Sequence, residues 1–106
     1  MKVKPYFYEA PDGHHFPDAM AGATYVYGMN FSLYLQLQSG TFQSATWELE
    51  KGLVSHGEFL HPSDDNVPCI NLETPYPGSY TVKCTVLYDA LGYDQKVTVP
   101  LVVKVY

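Results

Sequence analysis

Apolar and polar residues alternate with a period of two through most of this chain, and short turn-forming stretches interrupt the alternation. No window repeats apolar residues at i, i+3, i+4 and i+7 for long enough to predict a helix. The clearest segment is 31–38, FSLYLQLQ, whose apolar residues would share one buried face. These apolar residues are Phe31, Leu33, Leu35 and Leu37. The pattern therefore predicts strands joined by turns.

About seven short strands are predicted, at fairly even spacing, which is typical of a sandwich or barrel. Turns are expected at 55–57 and 89–94, and loops at 9–23 and 61–66. Pro100 would interrupt the last strand, so it predicts a bulge or a sheet edge there. Besides 31–38, the strand segments are 2–8, 24–27, 45–50, 58–60, 67–72, 77–89 and 96–106.

The composition is that of one folded domain. Of the 106 residues, 46% are hydrophobic and 16% are charged, which argues against disorder. The length suits one domain with its own core and is too short for two. We therefore expect a single domain over 1–106, with a less regular N-terminal strand and long loop over 1–28.

The charge balance excludes some classes of partner. The formal net charge is −5, and the six basic residues are all lysines. Bidentate recognition of phosphate and guanine depends mainly on arginine, and phosphate binding needs a basic face. We therefore expect neither nucleic acid nor a membrane as partner. The first residues lack the charged and apolar regions of a secretory leader, so we expect synthesis in the cytoplasm.

The two cysteines allow two states. A Cys69–Cys84 disulfide would close a loop for which such a bond contributes ~3 kcal/mol. Cys84 has the same parity as the inward residue Val82, whereas Cys69 alternates against Ile70 and Leu72. Two buried or half-buried thiols are favoured over a disulfide, and both alternatives remain open.

Two motifs in the second half of the chain carry a family resemblance. The segment 77–82, PGSYTV, resembles the P-G-x-Y-x-V signature of PKD domains, and Tyr80 resembles the tyrosine corner of immunoglobulin-like sandwiches. Trp47, Leu49 and Gly52 resemble the W-x-F-G-D-G motif of the same family. The resemblance implies an all-β, immunoglobulin-like (PKD-like) Greek-key β-sandwich with Trp47 and Tyr80 in its core. It says nothing about function.

The histidines invite a metal interpretation that their spacing does not favour. Zinc sites use patterns such as His-x-x-x-His or Cys-x-x-Cys, and neither is present. Asp64, Asp65 and Asn66 offer oxygen ligands suited to calcium, but they lack the spaced D-x-D-x-D-G arrangement and are expected to cap a turn. The histidines are His14, His15, His56 and His61.

No nucleophile has the context that catalysis requires. Ser63 and Cys69 are neighbours of His61 in sequence only, and neither lies in a G-x-S-x-G pattern. We expect no enzymatic activity, no cofactor and no bound metal.

Surplus tyrosines and the long loop 9–23 are the candidate contact features. Ten tyrosines exceed what one small core can hide, and tyrosine is favoured in interfaces. Loops above ~12 residues are usually functional or disordered. The candidate partner-binding residues are Tyr6, Tyr8, His14, His15, Phe16, Tyr25 and Tyr27.

Two hypotheses for function follow. The first is a non-enzymatic decoration or accessory protein of a bacteriophage virion, which docks on a major capsid or tail protein. Small immunoglobulin-like domains occur in that setting, and an acidic exterior with surplus tyrosines suits a protein partner. The alternative is a carbohydrate-binding or adhesion module of a larger bacterial surface protein, in which aromatic rings stack on sugars. A homo-oligomer is compatible with both.

Overall fold

The residues that the structure describes form an all-β sandwich with one short helix. The computed structural model describes the backbone of residues 5–9 and all atoms of residues 18–106. One sheet has four strands in the order β1-β2-β5-β4, and the other has three in the order β3-β6-β7. The elements are β1 (Pro5–Glu9), β2 (Ala23–Asn30), α1 (Ser32–Leu37), β3 (Gly40–Leu49), β4 (Val54–His61), β5 (Asp64–Thr74), β6 (Gly78–Ala90) and β7 (Tyr93–Val105).

The core lies between the two sheets and consists mainly of alternate residues from β5, β6 and β7. β1 runs parallel to β2, and every other strand pair is antiparallel. Strand β6 is central in its sheet and pairs with both β3 and β7. Fully buried side chains from both sheets include Tyr27, Ile70, Leu72, Val82, Val86 and Val103.

The prediction of a strand over 31–38 is wrong, because these residues form helix α1 and its flanks. Phe31 and Leu35 are buried, and Tyr34 packs beside them, a spacing of i, i+3 and i+4. Leu33 and Leu37 are 53% and 74% exposed, on the opposite side of the helix. The chain crosses from one sheet to the other here, and one apolar side of a short helix closes the open end of the core.

Other expectations have mixed outcomes. Residues 55–57 lie inside β4, where the register shifts between Ser55 and Glu58, so the predicted turn is a bulge. The predicted loop 61–66 shortens to a turn at 62–63, and β2 already begins at Ala23 within the supposedly irregular 1–28. The predicted strands over 45–50, 67–72 and 77–89 are confirmed. Pro100 lies on the edge strand β7, whose register with β6 is unbroken.

Tyr80 stabilises the connection between β5 and β6 through hydrogen bonds and a close ring contact. Its hydroxyl donates to the carbonyl oxygens of Tyr76 and Pro77, each at 3.1 Å. Its ring lies against Gly52, where a Cβ would come within 2.9 Å of Tyr80 Cε1 and where φ is +108°. The position therefore favours glycine for both space and backbone conformation. The next residue, Thr81, is hydrogen-bonded to the residue that follows β3: its N–H donates to Glu50 Oε1 at 3.0 Å.

Leucine truncations distinguish helix α1 from a strand. We expect Leu35→Ala to lower the free energy of unfolding by about 2–4 kcal/mol, because it empties a buried site. Leu37→Ala, the matched control, should change it by less than about 0.5 kcal/mol, since that side chain is mostly exposed. Urea denaturation followed by circular dichroism measures both. Similar losses for the two variants would contradict the helical register.

Candidate partner-binding surface

The structure separates the predicted contact residues. Tyr6 and Tyr8 lie on β1, for which only the backbone is described, and His14, His15 and Phe16 lie outside the described residues. Tyr27 is fully buried, and its ring centroid lies 5.8 Å from that of Tyr25. Burial places the Tyr27 side chain in the core. Tyr25 is half-buried, and its hydroxyl accepts a hydrogen bond from the Met20 N–H at 3.0 Å.

The described histidines and loop acids make local contacts. His56 Nε2 lies 2.7 Å from Glu73 Oε1 across the β4–β5 pair, and both side chains are partly exposed. Asp64 accepts from the Ser32 hydroxyl and from the Asn66 N–H, which is the turn-capping role expected for this segment. Within residues 18–106, no group of three or more His, Cys, Asp or Glu side chains is placed to hold a metal ion.

The candidate nucleophiles are poorly placed for catalysis. Ser63 meets His61 through its backbone N–H, which donates to His61 Nδ1 at 3.0 Å, and not through its hydroxyl. Cys69 and Cys84 are buried free thiols. Burial raises the pKa of Cys69 to about 11. Burial, with smaller contributions from the charges of Glu58 and Cys69, raises the pKa of Cys84 to about 12. Both sulfurs are therefore protonated at neutral pH and weakly nucleophilic.

One end of the sandwich carries a group of exposed apolar side chains, which we name the apical surface. Its members come from the outer side of α1 and from the β6–β7 hairpin. Gly40 pairs with Ala90, so the end of the helix lies beside the tip of the hairpin. Segments 31–40 and 90–93, which build this end, contain no charged residue. The apical surface consists of Leu33 (53% exposed), Leu37 (74%), Leu91 (82%) and Tyr93 (72%).

Leu91 occupies a backbone conformation that disfavours it. Leu91 and Gly92 form the two-residue turn, with φ of +54° and +85°. Positive φ at both central positions is typical of a type I′ turn, in which Asn-Gly and Asp-Gly are preferred. A leucine there costs about 1–2 kcal/mol relative to its right-handed conformation. Exposed apolar area and backbone strain at one residue point to a role outside folding.

Close packing beneath the apical surface fixes its position. A Cβ at Gly40 would lie 2.8 Å from Tyr88 Cδ2 and 3.2 Å from Leu35 Cδ2, so β3 approaches the helix and β6 closely. The Tyr34 and Tyr88 hydroxyls lie 3.1 Å apart, and their rings meet edge to face. This hydrogen bond, together with burial, raises the pKa of Tyr34 to about 12. The exposed leucines of the apical surface therefore lie over closely packed residues of the helix, β3 and β6.

Two sequence patterns indicate this surface, but the period-two alternation of apolar residues favoured a strand instead. Phe31, Tyr34 and Leu35 have helical spacing, which turns Leu33 and Leu37 outward. Leu91 precedes a glycine within a predicted hairpin, the position where an asparagine is expected.

No protein-family model, no curated protein sequence and no solved structure matches this chain. Among the residues that the structure describes, no helix has the length and apolar character needed to cross a membrane.

The buried thiols predict a loss of stability at alkaline pH. Their folded pKa values lie above the ordinary 9.0, so the folded state keeps protons that the unfolded chain has released. This contribution is complete below about pH 9 and is lost as the pH rises through the folded values. The urea midpoint should fall as the pH rises from about 9 to about 11. The fall should be smaller in Cys84→Ala, and equal slopes for the two proteins would contradict the assignment.

Proposed function

We propose that the sandwich is immunoglobulin-like and related to PKD domains. With β1 to β7 taken as strands A to G, the two sheets read ABED and CFG, the order of constant-type immunoglobulin domains. Tyr80 near the start of the sixth strand, bonded to backbone upstream, supports this proposal, as does Trp47 on the third strand. The parallel pairing of β1 with β2 departs from the antiparallel pattern of that family.

We further propose that the chain is a non-enzymatic module that docks on a protein, and the apical surface is the observation that carries this function. Its four side chains are 53–82% exposed on a chain of net charge −5. Exposed apolar groups gathered on a rigid base are typical of protein contact sites. The partner that best suits the module is a capsid or tail protein of a phage virion.

A carbohydrate-binding or adhesion module is the second candidate. Tyr76 and Tyr106 are 67% and 69% exposed at the end of the sandwich opposite the apical surface, where Gly78 pairs with Val105. Exposed tyrosine rings can stack on sugars. Binding on a glycan array that Tyr76→Ala and Tyr106→Ala abolish would favour this candidate.

The variant Leu91→Asn tests the docking role without loss of fold. Asparagine suits the left-handed turn, so we expect the free energy of unfolding to rise by about 1 kcal/mol. In the same variant, combined with Leu37→Gln, co-sedimentation with virion particles from the source of the chain should weaken at least about tenfold. The measurements are urea denaturation and sedimentation of purified protein with particles.

The control for that experiment is Leu87→Gln, which alters a 41% exposed leucine on the outer face of the β3-β6-β7 sheet. It should co-sediment like the wild type. Equal binding by the apical variant would contradict docking through this surface. No co-sedimentation of the wild type would overturn the virion proposal.

A further inference from the structure

A pocket lies between the start of β3 and the turn that joins β4 to β5, and we name it the side pocket. Its volume is about 420 Å³, which is within the size range of small-molecule sites. Thr41, Gln43 and Asp65 are exposed, so the pocket is open to solvent. Among the residues that the structure describes, its lining consists of Thr41, Phe42 and Gln43 of β3, Leu60 of β4, and Asp65 and Asn66 of β5.

A β-bulge in β3 brings neighbouring side chains to the side pocket. The register of β3 with β6 shifts between Phe42 and Ser44, which leaves Gln43 as the extra residue of the bulge. In a regular strand, successive side chains point to opposite faces of the sheet. At this bulge, Phe42 and Gln43 both line the pocket. Bulges that redirect side chains in this way are frequent beside functional sites.

Hydrogen bonds from the start of α1 hold the β5 side of the pocket in place. The Phe31 N–H donates to the Asn66 carbonyl oxygen at 3.0 Å. The Ser32 hydroxyl donates to Asp64 Oδ2 at 3.1 Å, and the Asn66 N–H donates to Asp64 Oδ1 at 2.9 Å. The backbone that carries the Asp65 and Asn66 side chains is therefore fixed before any ligand binds, which lowers the entropy cost of binding.

The lining combines apolar side chains with hydrogen-bonding groups of both kinds. Phe42 and Leu60 offer apolar contact, and the Phe42 ring offers an aromatic face. The Asp65 carboxylate only accepts hydrogen bonds, whereas the Gln43 and Asn66 amides both donate and accept. A pyranose ring has the matching chemistry, because C–H groups form an apolar face and hydroxyls that both donate and accept surround it. The mixed lining therefore favours a sugar over a purely apolar or cationic ligand.

We propose that the side pocket binds one neutral pyranose residue of a glycan. The C–H face of the sugar packs on Phe42, and its hydroxyls donate to the Asp65 carboxylate. The same carboxylate repels acidic sugars, so the site selects neutral ones. This inference rests on the carbohydrate-binding candidate, but it assigns a different site. Thr41 pairs with Asp89 beside the β6–β7 turn, so the pocket lies towards the opposite end of the sandwich from Tyr76 and Tyr106.

The test is a titration of the full chain, labelled with ¹⁵N, by nuclear magnetic resonance. The probes are the methyl glycosides of glucose, galactose and mannose, each with the glycoside of its uronic acid as the charged counterpart. At least one neutral glycoside should saturably shift the side-chain amide signals of Gln43 and Asn66. A dissociation constant of about 1 mM is expected for a ligand this small. The matching uronic acid should bind at least about fivefold more weakly.

Two single-charge variants separate the side pocket from the general charge of an acidic protein. Asp65→Asn should weaken binding of the neutral glycoside at least about fivefold and should remove the discrimination against the uronic acid. A merely structural role of Asp65 would not alter that discrimination. Glu48→Gln removes the same charge from an exposed position on β3 outside the pocket, and it should change neither property by more than about twofold. Circular dichroism should show that both variants fold.

Two results would overturn the inference: no binding of any of the three neutral glycosides by the wild type, or equal effects of the two variants. Glycan binding that depends on Tyr76 and Tyr106, without shifts at Gln43 and Asn66, would reject the side pocket and retain the carbohydrate-binding candidate. The absence of any glycan binding would reject both. None of these results affects docking through the apical surface, which is measured by co-sedimentation.

Discussion

The contact of Tyr80 with the backbone around it is the constraint on which the rest of the sandwich depends. The segment between β5 and β6 takes the chain from one sheet to the other, and it is held by two hydrogen bonds from one hydroxyl. The ring fits only because Gly52 lacks a side chain. Once this crossing is fixed, the register of β6 is fixed, and β3 and β7 take their positions from β6.

The two ends of the molecule are closed in different ways. The contacts at one end stabilise the fold, whereas the other end also displays the proposed contact surface. At the Tyr80 end, hydrogen bonds and a close ring contact close the structure. At the other end, Phe31 and Leu35 of the short helical segment enter the core, and the same helix must then turn Leu33 and Leu37 outward. A helix with apolar residues on both sides thus supports the core and displays an apolar surface, to which the strained Leu91 adds.

Much of the fold could be predicted from the sequence where one face of a strand is buried. Strand β6 is the best case, because Val82, Cys84 and Val86 alternate with more exposed residues and lie at the centre of a sheet. The strand prediction for segment 31–38 was wrong because alternate apolar residues also satisfy helical spacing when the segment is short. Strand β4 was underestimated since nearly all its residues are exposed at a sheet edge and leave no alternation to detect.

The contact sites were harder to predict than the fold. Tyrosine count drew attention to Tyr27, which the core buries completely. The apical leucines depend on a helix that was not predicted and on its position beside the β6–β7 hairpin, which lies far from it in sequence. Such juxtapositions follow from topology, and a pattern within a single segment does not contain them.

The most direct test of the central role of Tyr80 is the stability of Tyr80→Phe measured beside Tyr76→Phe. Both changes remove one hydroxyl, but only that of Tyr80 bonds the β5–β6 crossing, and Tyr76 is 67% exposed. Urea denaturation should show a loss of about 1–2 kcal/mol for Tyr80→Phe and less than about 0.5 kcal/mol for Tyr76→Phe. Equal values would contradict the account, because the crossing would then not depend on the Tyr80 hydroxyl.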